Sequence, residues 1–200
     1  MAGLTEVLTE ARALGFLGPG GVEAHIVHAH GFARAFEEAP ARFADLGSGG
    51  GVPGLVLASL WPEALGALVD ANERRTAFLE RATAALGFQD RVVVVRGRAE
   101  ELGRDAQHRG LYDAVVARGF GPPPVTAECA APLLLVGGRL VVSEPPEEAG
   151  RWDAAGLSKL GLERGPVVQA EARYQVLVQA ELCGERYPRR VGIPSKRPLW

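Results

Sequence analysis

Two acids and a dense set of glycines carry the first chemistry in this chain. In FADLGSGGGVPG, residues 43–54, five glycines and one proline fall within twelve residues, directly after a short apolar run. A loop of that kind, leading from a strand into a helix, lets main chain approach a ligand that side chains would push away. Gly49, Gly51 and Gly54 satisfy G-x-G-x-x-G, and Asp70 follows about 20 residues on, where an acid can grip a ribose. Gly47, Gly49 and Gly51 equally satisfy an acid-x-G-x-G-x-G pattern led by Asp45. The glycines alone leave both patterns open, beside a third reading as a plain tight turn. Asp70 has its own plain reading, as a cap on the helix that opens at NERR.

These residues need a frame, and the surrounding pattern supplies one. Short apolar strands are expected at RFADL, LGALVD ending at Asp70, RVVVV, YDAVVAR and RLVVS. Helices are expected at about 53–61, 72–87, 99–108 and 122–135, with Ala77, Phe78, Ala82 and Leu86 at helical spacing. Such alternation predicts an α/β fold: a Rossmann-like, mostly parallel seven-stranded sheet with helices on both faces. LERGPVV and ARYQVLVQAEL read as two late strands at one edge, partly antiparallel. Helices at 3–14 and 21–38 precede the sheet. A single domain over 1–200 is expected, with a helical extension (1–40), a ligand-binding core (43–183) and a basic tail (184–200). That leaves no second domain for the substrate of a dinucleotide-dependent oxidoreductase.

The chain carries a net charge of −2, which excludes a uniformly basic nucleic-acid binder. Its distribution is uneven: the tail from Arg186 carries +5, which leaves −7 on residues 1–185. Lysine is scarce, at Lys159 and Lys196 alone. Cys129 and Cys183 are too few for a disulfide framework or a metal site. His25, His28 and His30 share one N-terminal helix without a carboxylate partner and read as a polar helix face, so no metal is expected. No apolar run reaches the roughly 18–20 residues of a membrane span, and a cytoplasmic location is expected.

Beyond the glycines, the phrases DLGSGGGVPGLVLA, LVDANERRTAFLERATAALG, VVVVRGRAEEL, YDAVVARGF, AAPLLLVGGRLVV and PRRVGIPSKRPLW cover about half the chain. Together they resemble the bacterial small-subunit rRNA guanine-N7 methyltransferase family known as RsmG or GidB. The acid-x-G-x-G-x-G pattern resembles the class I S-adenosylmethionine (SAM) methyltransferases to which that family belongs. The resemblance implies SAM as cofactor and 16S rRNA of the small ribosomal subunit as partner. It implies that Asp45 leads the cofactor loop formed by Gly47, Gly49 and Gly51. Gly47 and Val52 would line the methionine side, Asp70 would hold the ribose, Ala99 and Glu100 would flank the adenine, and Arg118 would border the active pocket. In the tail, Arg186, Arg189, Arg190, Lys196 and Arg197 would track phosphates while Tyr187 and Trp200 stack on bases. The tail is otherwise expected to be irregular, and its loss to leave the cofactor site untouched.

Guanine N7 carries a lone pair and no proton, so its methylation needs no general base. No DPPY-like tetrapeptide follows the fourth strand, where ARGF stands instead, and no cysteine is placed as a nucleophile. The sequence also departs from the family. Ser143, Glu144 and Pro145, within VVSEPPEE, stand where LKG is usual, and Ala24 stands where an arginine precedes the helical histidine. Both departures fall where rRNA would dock or the target base would sit. They keep open a methyltransferase acting on a small molecule or protein, and the glycine pattern keeps open an NAD(P)-dependent oxidoreductase.

Overall fold

The computed structural model describes residues 2–145 and 150–200. Seven strands form one sheet: β1 (Arg42–Leu46), β2 (Leu65–Asp70), β3 (Val92–Arg96), β4 (Tyr112–Ala117), β5 (Leu134–Glu144), β6 (Leu162–Gln169) and β7 (Arg173–Gln179). Their order is β3-β2-β1-β4-β5-β7-β6. β1 to β5 pair in parallel, β7 runs antiparallel to β5, and β6 closes the edge antiparallel to β7. The antiparallel strand is thus second from the edge, because β6 and β7 form a hairpin joined by the Ala170 N–H to Ala172 carbonyl bond.

Alternation along the strands sorts side chains between two layers. Ala44, Leu46, Ala67, Val69, Val115 and Ala117 face one core with α5 (Ala99–Leu102) and α6 (Pro123–Ala130). Phe43, Leu68, Ala114 and Val116 face the other, packed by α1 (Leu4–Ala13), α2 (Val22–Ala33), α3 (Gly54–Leu60) and α4 (Glu73–Ala85). Phe43 is fully buried there against Trp61, ring centroids 5.4 Å apart. Burying such a side chain contributes roughly 1.5–3 kcal/mol. The Cα register aligns Leu46 with Val69 and with Ala117, so β1, β2 and β4 end together where the strand order reverses. That is where open α/β sheets hold ligands.

Several boundaries differ from expectation. α2 stops at Ala33 rather than 38. α5 is four residues long, and 103–110 form turns in which the Asp105 side chain accepts from the Gln107 N–H at 2.9 Å. α6 yields to a 3-10 turn at Ala131–Leu133, where Pro132 interrupts the helix, and β5 begins at Leu134. A helix α7 (Ala154–Ser158) is capped by Asp153, and the tail contains α8 (Ile193–Lys196). Pro146, Glu147 and Glu148 of the VVSEPPEE departure lie outside the described residues.

Candidate functional site

The glycine loop turns through three left-handed residues, Gly47 (φ +71°), Gly49 (φ +55°) and Gly51 (φ +89°), a region glycine enters freely. A Cβ on Gly47 would lie 3.0 Å from the Phe120 ring. The loop N–H groups are mostly engaged within the protein. Those of Gly47 and Ser48 donate to the Val69 carbonyl, and that of Gly51 to the Ser48 carbonyl. The Gly49 N–H donates to Asp70 Oδ2 at 3.0 Å, and the Gly54 N–H to Asp45 Oδ2 at 2.9 Å. The loop therefore presents bare Cα surface rather than a cradle of free donors.

Two clefts open on this loop, and both include Gly47. One is walled by Val69, Asp70, Ala99, Glu100, Phe120, Val125, Cys129 and Ser195. The other is walled by Phe16, Leu17, Gly18, Gly49, Val52, Arg75 and Arg118. They meet as the two halves of a trough. Asp45 and Gly51, expected in the cofactor loop, line neither cleft. Gly51 packs behind the wall against Leu55, and Asp45 is a buried strut that holds the start of α3. Burial pushes the Asp45 carboxyl up to about 7, against the lowering influence of the bond it accepts from the Gly54 N–H.

Asp70 ends β2 at the centre of the trough. Oδ1 accepts from the Asn72 N–H at 2.8 Å, Oδ2 accepts from Gly49, and the Arg75 guanidinium lies 3.6 Å away. Each oxygen keeps a lone pair for a further donor. The helix cap is Asn72, which accepts from the Arg75 N–H, so Asp70 is not the cap. Glu100 is buried in the wall of the same cleft as Asp70. Burial pushes its carboxyl up, but the N–H groups of Gly192 and of Glu100 itself, together with the Arg98 guanidinium, outweigh it and hold it below the usual carboxylate range. Ala99 lies beside it. Burial, then Glu100 and Glu128, push the Cys129 thiol far up, so it supplies no thiolate.

Arg118 follows β4 and is half-buried at the second cleft. Its Nη2 donates to Nδ1 of His25 at 2.8 Å, and His25 Nε2 lies 3.2 Å from the Gly18 carbonyl. His25 and His28 face inward rather than forming a polar helix face, and only His30 of the three is exposed. Burial lowers the His28 pKa to about 4, with Arg118 and His25 adding to it. The Tyr174 hydroxyl donates to the His28 carbonyl at 2.6 Å. Sequence reasoning missed the wall made by Phe16, Leu17 and Gly18. GFLGPGG reads as a turn, but no local signal places that turn on the glycine loop.

The tail is irregular apart from α8, but it packs against α5, α6 and α7 rather than standing clear of the cofactor site. Arg189 donates to buried Glu128 through its main-chain N–H, Nε and Nη2 at 2.8, 2.8 and 2.6 Å. The Gly192 N–H donates to Glu100 at 3.0 Å, and Ser195 lines the first cleft. Trp200 donates to the Arg151 carbonyl at 3.2 Å, and a Cβ on Gly156 would strike its ring, so that indole is engaged with the fold. Tyr187 is buried under the Arg186 guanidinium, 4.8 Å from its ring centroid. Arg186, Arg190, Lys196 and Arg197 remain exposed, whereas Arg189 is held by Glu128. At the β5 end, Glu144 is buried and accepts from Trp152 Nε1 at 2.6 Å, so its charge faces inward. No helix among the described residues is long and apolar enough to cross a membrane.

The family described as GidB, rRNA small subunit methyltransferase G, matches residues 21–150. Relatives called ribosomal RNA small subunit methyltransferase G include one from Rubrobacter xylanophilus, 40% identical over 174 residues, covering 80% of this chain and 66% of that protein. Another, from Roseiflexus castenholzii, is 37% identical over 186 residues, covering 89% and 79%. Among solved structures, a SAM-dependent O-methyltransferase from Thermotoga maritima superposes with a TM-score of 0.58 at 16% identity, covering 88% of this chain and 71% of that one. Mitomycin 7-O-methyltransferase gives 0.63 at 17% identity, covering 84% and 56%. These two likenesses show a class I methyltransferase fold. With a family match over more than half its residues, the chain belongs to the rRNA small subunit methyltransferase G family of SAM-dependent methyltransferases.

Proposed function

We propose that this chain transfers a methyl group from SAM to N7 of a guanine in 16S rRNA, acting on the small ribosomal subunit. One observation carries the reading. The trough has an acid-bearing half, with Asp70 and Glu100, suited to a nucleoside, and a cation-bearing half, with Arg75 and Arg118, suited to an amino-acid carboxylate. A dinucleotide would need its pyrophosphate at the start of α3. There the Gly54 N–H already serves the Asp45 carboxyl, and the Gly51 N–H serves Ser48.

The residues present fit SAM. Bare Gly47 and Gly49 admit close approach, Asp70 keeps lone pairs for ribose hydroxyls, and Val69, Ala99 and Val125 offer apolar surface to an adenine. Val52 and Arg118 would face the methionine part. When bound, SAM supplies an electrophilic methyl group on a sulfonium. Guanine N7 brings its own lone pair, so the chain's task is to orient the partners and exclude water, and no side chain has to take up a proton. Arg186, Arg190, Lys196 and Arg197 are the exposed cations of the tail that would meet phosphate. The name shared by the relatives, ribosomal RNA small subunit methyltransferase G, supports the rRNA partner. Residues 2–18 and the tail act with the core as one unit, because Gly18 and Ser195 both wall the trough.

The test is methyl transfer from labelled SAM to small ribosomal subunits and to free 16S rRNA, with N7-specific strand scission to locate the product. Label at one guanine N7 is expected. Bound SAM with no transfer to either RNA would redirect the search to small-molecule or protein acceptors.

A further inference from the structure

We propose that His25 is a positioning residue: it aims the Arg118 guanidinium into the cleft beside the glycine loop, where that cation holds the carboxylate at the amino-acid end of the cofactor. The inference rests on the SAM reading above. An arginine only donates, so His25 Nδ1, 2.8 Å from Arg118 Nη2, must be the accepting nitrogen. The ring proton then sits on Nε2, which donates to the Gly18 carbonyl at 3.2 Å. One neutral tautomer satisfies both bonds. Gly18 and Arg118 stand on the same cleft, so this ring ties two of its walls together.

The charges around Arg118 favour an anionic ligand. Among the described residues, no carboxylate lies within salt-bridge distance of it. Asp45, the carboxyl whose charge acts on it, has its ionisation pushed up to about 7 by burial, so near neutral pH it carries only part of a charge. His28, packed nearby, is neutral and adds no competing cation. Arg75, the other guanidinium on the cleft, sits 3.6 Å from Asp70. Arg118 therefore carries the charge on this wall without a contact counter-ion, an arrangement that a ligand carboxylate completes. The ring that aims it is fixed, because His25 is buried on the same side of α2 as Ala29 and Phe32. A guanidinium already held in place loses less rotamer freedom when the ligand arrives.

Calorimetry with S-adenosylhomocysteine and with 5′-methylthioadenosine separates the ligand's two ends, since the second probe lacks the amino-acid part. His25→Gln keeps a donor for Gly18 and loses the acceptor facing Arg118. It is expected to weaken S-adenosylhomocysteine on the order of 10-fold and 5′-methylthioadenosine by no more than about twofold. Arg118→Met is expected to do the same, and the double variant no more than Arg118→Met alone, because the histidine acts through the arginine. His25→Asn places an acceptor near the Nδ1 position and is expected to recover most of the affinity. Equal weakening of both probes, no weakening, or additive losses in the double variant overturn the proposal. Should the glutamine variant not fold, a selective tenfold loss in His25→Asn overturns it instead, and retention supports it. Wild-type protein that binds neither probe overturns the cofactor reading itself, an outcome distinct from all of these.

Discussion

Burial is the largest influence on Asp45 and lifts its carboxyl from 3.8 to about 7. Between those values the folded protein keeps a proton that the unfolded chain has released. Stability therefore declines as pH rises through that window, and above it the ionised form costs on the order of 4 kcal/mol. His28 acts in the opposite sense. Its pKa, lowered from 6.5 to about 4, withdraws stability as pH falls through that range. Asp45→Asn isolates the first effect, because an amide oxygen can still accept from the Gly54 N–H. The stability of the asparagine variant relative to wild type should increase from pH 5 to about pH 7 and then level off in denaturant titrations. A difference that stays flat across that range would mean Asp45 is ionised throughout.

Among the elements, the tail strap has its own energetic signature. Glu128 is fully buried and is held by Arg189, whose main chain and guanidinium both donate to it. Arg189→Ala would leave that carboxylate without its guanidinium, a change that typically costs about 3–5 kcal/mol. Chemical unfolding should show a loss of that size, and SAM affinity should fall as well, because Gly192 and Ser195 continue the same strap. Unchanged stability would mean that Glu128 is protonated or solvated. The strap was illegible in the sequence for a physical reason. It is fixed by pairs such as Arg189 with Glu128, 61 positions apart, and Gly192 with Glu100, 92 apart, which leave no local pattern. β1, β2 and β4 were legible because their apolar residues and their Gly or Asp ends are local. AAPLLLVGGR was not, since a continuous apolar run fits helix or strand equally until Pro132 decides. The glycine loop and Asp70 were legible as a site, but the inward role of Asp45 and the His25–Arg118 bond needed the packing of α2 onto the sheet.

At the scale of the whole molecule, the tail's five cations are not equivalent. Arg189 is neutralised by Glu128, which leaves four exposed on a strap that also roofs the acid-bearing half of the trough. The opposite half is roofed by Phe16, Leu17 and Gly18. A ligand lying in the trough therefore touches segments from nearly opposite limits of the chain, and neither can lift away without giving up a contact. The ligand becomes a removable crosslink between them, present only while bound. Amide exchange at 16–18 and at 189–196 should then slow in concert when S-adenosylhomocysteine is added, with β6 at the far edge of the sheet unaffected. Slowing in one segment alone would show that the trough closes from one side only. In concert, the two would set a dwell time, with departure of the spent cofactor waiting on whichever segment opens first.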